Sequence, residues 1–172
     1  MTNEKVTAEL DYMTLSLPDL FEKYSLDVFR YAKSILKESD EAKDAVQEVF
    51  LKYAKNEKSF KGNCSQKTWL LIIARNYCFN KIKNNNYKNI SIDNAEIAFY
   101  SAPDFEMKIS LEEALKLLSP EHNELLYLKE YSNYSYKEIA EITNQTVENV
   151  KIKLFRGRQI LRKMLKNERG TL

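Results

Sequence analysis

Residues that break helices and residues that bind metals are both scarce in this sequence. Three glycines and three prolines occur among 172 residues, so the chain offers few points at which a helix must end. One histidine and two cysteines, Cys64 and Cys78, which lack CxxC spacing, fall short of the roughly four ligands of a zinc site. The scarcity therefore favours an all-α fold and predicts neither a metal site nor a cofactor.

Long apolar runs and catalytic patterns are absent as well. No run of apolar residues approaches the roughly 18 that cross a membrane, and residues 1–11 are polar, unlike a signal peptide. The sequence has no serine–histidine arrangement, glycine-rich phosphate loop or HExxH motif. We therefore expect a cytoplasmic protein that does not insert into a membrane. An enzymatic function is the weakest interpretation.

Charged side chains, by contrast, are abundant and unevenly distributed. The net charge is only +2, yet residues 59–92 contain 6 basic and 0 acidic side chains, and residues 149–172 contain 8 and 1. Residues 1–58 contain 9 basic and 12 acidic side chains, and residues 93–148 contain 4 and 12. One basic run is usually a solvated surface, but two such runs, both predicted helical, fit a polyanion bound at two places.

Hydrophobic periodicity predicts three helices in the first half of the chain. The first starts at Ser16 and Pro18, a hydroxyl cap followed by proline. The second is SDEAKDAVQEVFLKYA, with Ala42, Ala45, Val46, Val49, Phe50 and Tyr53 predicted on one side. The third is QKTWLLIIARNYCFNKIK, on which we expect the packed stripe to be Trp69, Ile72, Ile73 and Asn76. Residues 1–83 are thus predicted to form a small N-terminal domain around one core.

A linker is predicted after this domain. Residues 84–109 are rich in asparagine, contain Pro103 and lose the apolar periodicity. A stretch of 26 residues without regular structure is unusual inside a compact domain, so we predict that it is flexible and joins two domains.

Residues 110–172 are predicted to form the second domain, which contains four helices. Ser119 with Pro120, and the capping box of Ser135 and Glu138, mark the starts of its second and third helices. A turn then leads to a long basic helix, VENVKIKLFRGRQILRKML, for which Thr146 is the predicted cap. The short helix, the turn and the long helix together indicate a helix-turn-helix.

The long basic helix carries side chains that suit duplex DNA. In a helix-turn-helix, the second helix lies in the major groove with its N-terminal residues at base edges. Asn149 and Arg156 have side chains that pair with base edges, and Glu148 can accept from a cytosine amino group. Lys151 and Lys153 flank them and suit phosphates. A solvated basic helix is the alternative, and the capped helix and turn before it favour DNA binding.

Two runs of the sequence together resemble a known family. One is DEAKDAVQEVFLKYAK, continued by WLLIIARNYCFNKIK; the other, after the linker, is LSPEHNELLYLKEYSNYSYKEIAEITNQTVENVKIKLFRGRQILRKML. They resemble the extracytoplasmic-function (ECF) sigma factors of bacterial RNA polymerase over about residues 17–165, with both domains in the same order. The resemblance implies a non-catalytic subunit that directs core polymerase to specific promoters and assists promoter melting and transcription initiation.

The resemblance assigns the second predicted helix to polymerase binding. Asp44, Gln47 and Glu48 match the positions with which the family docks on the clamp helices of the polymerase's largest subunit. Carboxylates and an amide on one helix face are suited to a basic partner surface. Without the resemblance, a solvated acidic face would be the preferred interpretation.

The third helix and the loop before it correspond to the part of the family that binds the melted minus-ten promoter element. Aromatic rings stack on unpaired bases, lysines follow the backbone, and a flipped base needs a pocket with a few polar groups. For Trp69 a core position is the stronger alternative, because a single tryptophan on an apolar stripe is usually packed inside. The matching positions are Lys61, Trp69, Arg75, Asn76, Tyr77, Asn80, Lys81 and Lys83.

The helix-turn-helix corresponds to the part of the family that reads the minus-thirty-five element as duplex DNA. The matching positions are Thr146, Glu148, Asn149, Lys151, Ile152, Lys153 and Arg156.

Four positions depart from the family pattern. Asn80 stands where aspartate is usual, and Gly157 stands where alanine is common. Ile152 and Lys153 replace a common serine and arginine, and lysine lacks the bidentate fork of arginine. The duplex sequence that is read here is therefore expected to be unusual or to receive fewer direct base contacts.

The resemblance also implies an inhibitory anti-sigma factor and a monomer that binds promoter DNA weakly without polymerase. A relaxed linker of 26 residues spans only about 25–30 Å, so polymerase must hold it extended for both elements to be reached. The main alternative is a dimeric helix-turn-helix regulator that binds a palindromic duplex by itself. A helical adaptor that binds only protein is a third interpretation.

Overall fold

The computed structural model describes residues 15–88 and 110–166 of the chain. Both ranges contain helices and turns without a β-strand, which confirms the all-α prediction. The described residues group into two units, within Met1–Phe79 and within Asn80–Leu172. The helices are α1 (Leu17–Leu36), α2 (Ser39–Asn56), α3 (Gln66–Lys88), α4 (Leu111–Leu117), α5 (Pro120–Leu126), α6 (Tyr136–Thr143) and α7 (Val147–Lys166).

α1 begins where the hydroxyl and proline signals predicted. The Ser16 side chain accepts a hydrogen bond from the backbone N–H of Asp19, and Pro18 lies in the first turn. α1 ends at Leu36, and the next residue, Lys37, has a left-handed φ of 69°. α1 packs against α2. Their buried residues are Leu20, Val28, Tyr31, Ala32, Ile35 and Leu36 in α1, and Ala42, Ala45, Val46, Val49, Phe50 and Tyr53 in α2.

α3 packs through a different stripe from the one we expected. Leu70, Leu71, Ala74 and Cys78 are buried. The expected residues are half-buried or, in the case of Asn76, exposed. The prediction was wrong because residues 69–74 are apolar without interruption, so periodicity does not distinguish one face of this helix from another.

Gln66 fixes the start of α3 instead. Its Nε2 donates a hydrogen bond to the Tyr53 hydroxyl at 2.8 Å, and its Oε1 accepts one from the Leu15 backbone N–H at 2.8 Å. Ser65 caps the helix, because its Oγ accepts from the Thr68 N–H at 3.0 Å. The first turn of α3 is therefore tied to α2 and to Leu15, which lies just before α1.

α3 also continues further than predicted. Residues 84–88 are helical, although we assigned them to the linker. No glycine or proline lies between Gly62 and Pro103, so nothing in the sequence forces the helix to end at residue 83. The remainder of the predicted linker, residues 89–109, lies outside the described residues.

The second unit contains the four helices that the sequence predicted. Ser110, Ser119 and Ser135 cap α4, α5 and α6, and the predicted box of Ser135 and Glu138 is present. After α5 the chain makes one wider π-helical turn, Tyr127–Tyr131. The buried apolar residues are Ala114, Leu118, Leu125, Leu126, Leu128, Ile139, Ala140, Ile142, Val150, Leu154 and Met164.

A short turn joins α6 to α7 and completes the predicted helix-turn-helix. Asn144 ends α6 with a left-handed φ of 52°, a conformation that asparagine tolerates better than most residues. Thr146 caps α7, because its Oγ1 accepts from the Asn149 N–H at 3.2 Å. α6 packs against α7, and α5 packs against α7 from another side.

Gly157 allows α7 to approach α5 closely. A Cβ atom at this position would lie 3.2 Å from the ring carbon Cδ2 of His122, which is buried. The His122 Nδ1 lies 3.0 Å from the Oγ of Ser119, which fixes the ring. The glycine that departs from the family pattern therefore makes room for a histidine ring. Over residues 15–88 and 110–166, no helix combines the length and apolarity needed to span a bilayer.

Candidate nucleic-acid interface

One side of α7 is exposed along most of the helix. Val150, Leu154 and Met164 are buried, and successive residues are rotated by about 100° around the helix axis, so the opposite side faces solvent. That side carries most of the residues predicted to contact duplex DNA. The exposed members of the predicted set are Thr146, Glu148, Asn149, Lys151, Ile152 and Arg156.

Lys153 is the exception in this set. It is half-buried, and its Nζ lies 2.6 Å from Oε2 of Glu121 on α5. Further along α7, Nε of Arg158 donates to Oε1 of Glu130 at 2.9 Å. This hydrogen bond raises the pKa of the Arg158 guanidinium. Acids from α5 and the turn after it thus pair with two bases of α7.

Two lysines lie near the ring of Tyr136, the first residue of α6. Nζ of Lys129 lies 4.9 Å from the ring centroid, and Nζ of Lys151 lies 5.6 Å from it. Both distances fall within the range of cation–π attraction. Nζ of Lys129 also donates to the backbone oxygen of Tyr134 at 3.1 Å. The predicted phosphate contact Lys151 therefore lies beside a second cation that comes from outside the recognition helix.

Trp69 on α3 is half-buried and packs against two aromatic rings. Its ring stacks on Phe60, with centroids 5.0 Å apart, and meets the edge of Tyr53 at the same centroid distance of 5.0 Å. Trp69 is half-buried and lies on the same side of α3 as Asn76 and Asn80. The structure thus puts the tryptophan beside other predicted minus-ten residues and not in the main core.

The other predicted residues of α3 lie mostly on this side. Asn76, Asn80 and Lys83 are exposed and follow one another at steps of four and three, so they form one line along the helix. Tyr77 and Lys81 are half-buried and lie about 100° around the helix from Asn76 and Asn80, on one flank of this line. The line and this flank offer amides, a phenol ring and lysines, which are groups that hydrogen-bond to bases, stack on them or pair with phosphates.

The two remaining predicted residues lie off this line. Lys61 is exposed in the loop before α3. The guanidinium carbon of Arg75 lies 4.6 Å from the ring centroid of Phe79, about 100° around α3 from Asn76. Arg75 therefore lies on the flank of the exposed line that is opposite to Tyr77.

The predicted polymerase contacts form one exposed patch on α2. Asp44, Gln47 and Glu48 are exposed, and spacings of three and four put them on one face. Leu51, which is 54% exposed, extends that face by one turn. At the start of the helix, a hydrogen bond from Lys43 lowers the pKa of Asp40. The patch thus combines acids with an accessible apolar side chain.

Ion pairs in the folded structure partly neutralise the basic runs seen in the sequence. Lys67 belongs to the acid-free run, but its Nζ lies 2.7 Å from Oδ2 of Asp27 on α1. In the second basic run, Lys153 pairs with Glu121. Among the residues of α7 whose exposure the structure describes, the exposed bases are Lys151, Arg156, Arg162 and Lys163.

Two aromatic residues near these surfaces were missed by the sequence analysis. Phe60 covers the Trp69 ring from the loop before α3. Phe155 is exposed on α7, next to Arg156. The sequence contained a signal for each: Phe60 is an aromatic residue in a polar loop, and Phe155 is an aromatic residue on the outer side of a basic helix. In the described part of the chain, no three His, Cys, Asp or Glu side chains form a group that could hold a metal ion.

Comparison with known proteins assigns these two units to a family. The sigma-70 region 2 family matches residues 20–87, and the sigma-70 region 4 family matches residues 108–161. The chain is 30% identical to the RNA polymerase sigma factor YlaC of Bacillus subtilis over 166 residues, which cover 90% of this chain and 94% of YlaC. It is 27% identical to the ECF RNA polymerase sigma factor SigW of Bacillus subtilis, with coverages of 87% and 88%.

A solved structure supports the fold. The sigma factor RpoE from Bartonella quintana, crystallised in complex with the anti-sigma factor NepR, matches with a TM-score of 0.68 at 22% identity. The match covers 88% of this chain and 98% of RpoE. Helices α1–α3 correspond to the region 2 match and α4–α7 to the region 4 match. The chain therefore belongs to the extracytoplasmic-function (ECF) family of RNA polymerase sigma factors.

Proposed function

We propose that this sigma factor carries its three tasks on three separate helices. α2 binds core RNA polymerase, α3 binds the melted minus-ten element, and α7 reads the minus-thirty-five element as duplex DNA. The observation that carries the proposal is the exposed side of α7, the capped second helix of the helix-turn-helix, which displays Asn149, Arg156 and further exposed bases. Amide and guanidinium groups read base edges, and lysines pair with phosphates.

The role of α3 in promoter melting is supported by the chemistry of its outer side. An aromatic stack and a line of asparagines suit unpaired bases, because every base has a face that stacks and an edge that forms hydrogen bonds. Lys61, Lys81 and Lys83 then pair with the backbone of the single strand. Binding the unpaired strand more tightly than the duplex shifts the equilibrium towards the open promoter.

Polymerase binding by α2 is supported by the exposed patch of Asp44, Gln47 and Glu48. These side chains fit a basic partner surface such as that expected for the clamp helices of the largest subunit. Leu51 adds an apolar contact at the edge of the patch. The protein contributes no catalytic group in this proposal, and it acts in the cytoplasm as a monomer until it binds polymerase.

We also propose that an anti-sigma factor controls this protein. RpoE from Bartonella quintana, which has the same fold, was crystallised with such a factor. Large apolar side chains remain exposed on both units and would be buried by a protein partner. They include Leu26, Leu51 and Leu117.

A reconstituted transcription assay tests the proposal. Core RNA polymerase with the full-length protein is expected to initiate from a subset of a randomised promoter library, whereas core polymerase alone initiates without preference. Asp44→Arg is expected to reduce co-purification with core polymerase at least about tenfold, because it places like charges across the interface. Glu22→Arg, which changes an exposed acid of α1 by the same charge, is the matched control and should leave binding unchanged.

Two results would contradict the proposal. Selective binding of the free protein to a palindromic duplex, as a dimer and independently of polymerase, would indicate a helix-turn-helix regulator. Absence of DNA selectivity in every complex, together with protein binding that is insensitive to salt, would indicate a helical adaptor.

A further inference from the structure

The outer side of α7 exposes two large apolar side chains, which can neither hydrogen-bond to a base edge nor pair with a phosphate. Ile152 is 50% exposed and Phe155 is 60% exposed. They are three residues apart, so their Cβ atoms lie about 5–6 Å from each other on neighbouring turns. Two such side chains side by side in a basic helix form an apolar strip in an otherwise polar surface.

The strip lies along the centre of the exposed side, with cations on both margins. At about 100° per residue, Glu148, Ile152, Phe155 and Gln159 follow one line. Exposed bases lie on each side of that line, and Glu148 is the one acid among residues 147–166. Lys151 and Arg162 form one margin, and Arg156 and Lys163 form the other.

We propose that Ile152 and Phe155 contact thymine methyl groups on the floor of the major groove. The inference rests on the proposed function, because it requires α7 to lie in a duplex. In that groove the thymine C5-methyl is the apolar group that base pairs present, whereas the other positions are donors and acceptors. Apolar side chains on the centre line of the helix therefore match thymine, and methyl burial favours it.

The charge pattern favours DNA over a protein as the occupant of this strip. A helix in the major groove has a phosphate strand on each side, and α7 has bases on each margin. A protein partner would have to supply an apolar centre between two acidic borders. DNA supplies both features wherever a thymine lies under the helix.

The same geometry limits where the thymines lie. Asn149 is three residues before Ile152, and an asparagine amide pairs with the N6 and N7 atoms of adenine. With about 5–6 Å between neighbouring turns and 3.4 Å between base pairs, the thymine under Ile152 lies within about two base pairs of that adenine. The preferred element is therefore expected to contain A·T pairs and to depend on their methyl groups.

Removal of single methyl groups from DNA tests the inference. The preferred upstream duplex is first selected with full-length protein and core polymerase from a library randomised in that region. Each thymine is then replaced in turn by 2′-deoxyuridine, which removes the methyl group and keeps every hydrogen bond. Replacement at one or two positions is expected to weaken binding about threefold to fivefold, the effect of one buried methyl group.

Variants of the protein identify the side chain that reads each methyl. Ile152→Ser should abolish the penalty of deoxyuridine at one position, and Phe155→Ser should abolish it at the other. Leu111→Ser, at a leucine of α4 that is 54% exposed, is the matched control and should retain both penalties. Circular dichroism spectra and melting curves of the three variants confirm that they are folded.

The outcomes separate the inference from the proposed function. If the selected element tolerates deoxyuridine at every thymine, the strip does not read methyl groups, although the promoter function stands. If Ile152→Ser and Phe155→Ser weaken binding to core polymerase in the absence of DNA and deoxyuridine has no effect, the strip is a protein-binding surface. If no upstream element is selected at all, the proposed function itself is wrong.

Discussion

α3 and α7 share a charge bias but differ in the chemistry of their outer sides. Both begin at a hydroxyl cap, and both belong to the acid-poor runs of the sequence. The outer side of α3 carries Trp69, half-covered by Phe60, and a line of asparagines. The outer side of α7 carries an apolar strip between two cationic margins. The first pattern fits unpaired bases and the second fits a duplex, so net charge alone does not distinguish the two functions.

The two helices also differ in how their bases are paired. Lys67 in the first turn of α3 pairs with Asp27 on α1. On α7, Lys153 pairs with Glu121 on the flank that faces α5, and Arg158 pairs with Glu130 of the turn after α5. The bases of the two margins face solvent, while Lys153 and Arg158 connect α7 to that neighbouring segment.

The largest expected effect on stability comes from the aromatic residue on the outer side of α3, and the aromatic residue on the outer side of α7 serves as the comparison. Trp69→Ala should lower the free energy of unfolding by about 2–3 kcal/mol, because it removes the stack on Phe60 and the edge contact with Tyr53. Phe155→Ala should change it by less than about 0.5 kcal/mol, because that ring is exposed. Urea titrations followed by circular dichroism measure both. Equal effects of the two substitutions would contradict the comparison.

Local signals predicted much of the fold. The caps at Ser16, Ser119, Ser135 and Thr146 were found because a cap depends on residues within one turn of the chain. The buried face of α2 followed from clear periodicity. The same reasoning failed for α3, because its apolar run covers every face of the helix and no glycine or proline marks where the helix ends.

The ion pairs between α7 and the segment that begins with α5 could not be predicted from the sequence. Lys153 and Glu121 are 32 residues apart, and Arg158 and Glu130 are 28 apart. No local pattern links such pairs, since they depend on how α5 packs against α7. The candidate site was therefore predicted as a set of residue types, whereas the pairing that withdraws Lys153 from the exposed side required the structure.

The second prediction concerns Gly157, at which α7 approaches α5 closely. α3 contains no glycine. Gly157→Ala should gain up to about 1 kcal/mol from helix propensity, but its Cβ would lie 3.2 Å from the His122 ring. We expect the two effects to offset each other to within about 0.5 kcal/mol.

The control for this prediction is the same substitution in a His122→Ala background. There the ring is absent, and Gly157→Ala should stabilise by about 1 kcal/mol in urea titrations. A gain of the same size in both backgrounds would show that the contact with His122 does not oppose the substitution.

A small effect on stability is also expected from the ion pair that holds Lys153. Glu121→Gln should lower the free energy of unfolding by less than about 1 kcal/mol, because both partners are partly exposed to solvent. Its effect on DNA binding should be easier to detect. Once released, Lys153 can reach a phosphate, and the slope of log affinity against log salt should become more negative by about one.

Removing a negative charge near DNA also raises affinity without a new contact, so a matched variant is needed. Glu141→Gln changes an exposed acid of α6 by the same charge and leaves Lys153 paired. Salt titrations of promoter binding by the polymerase complex should show a steeper slope for Glu121→Gln than for Glu141→Gln. Identical slopes would mean that Lys153 contacts no phosphate even when released. In that case α7 would bind the backbone only through its exposed margins, and the flank that faces α5 would serve packing alone.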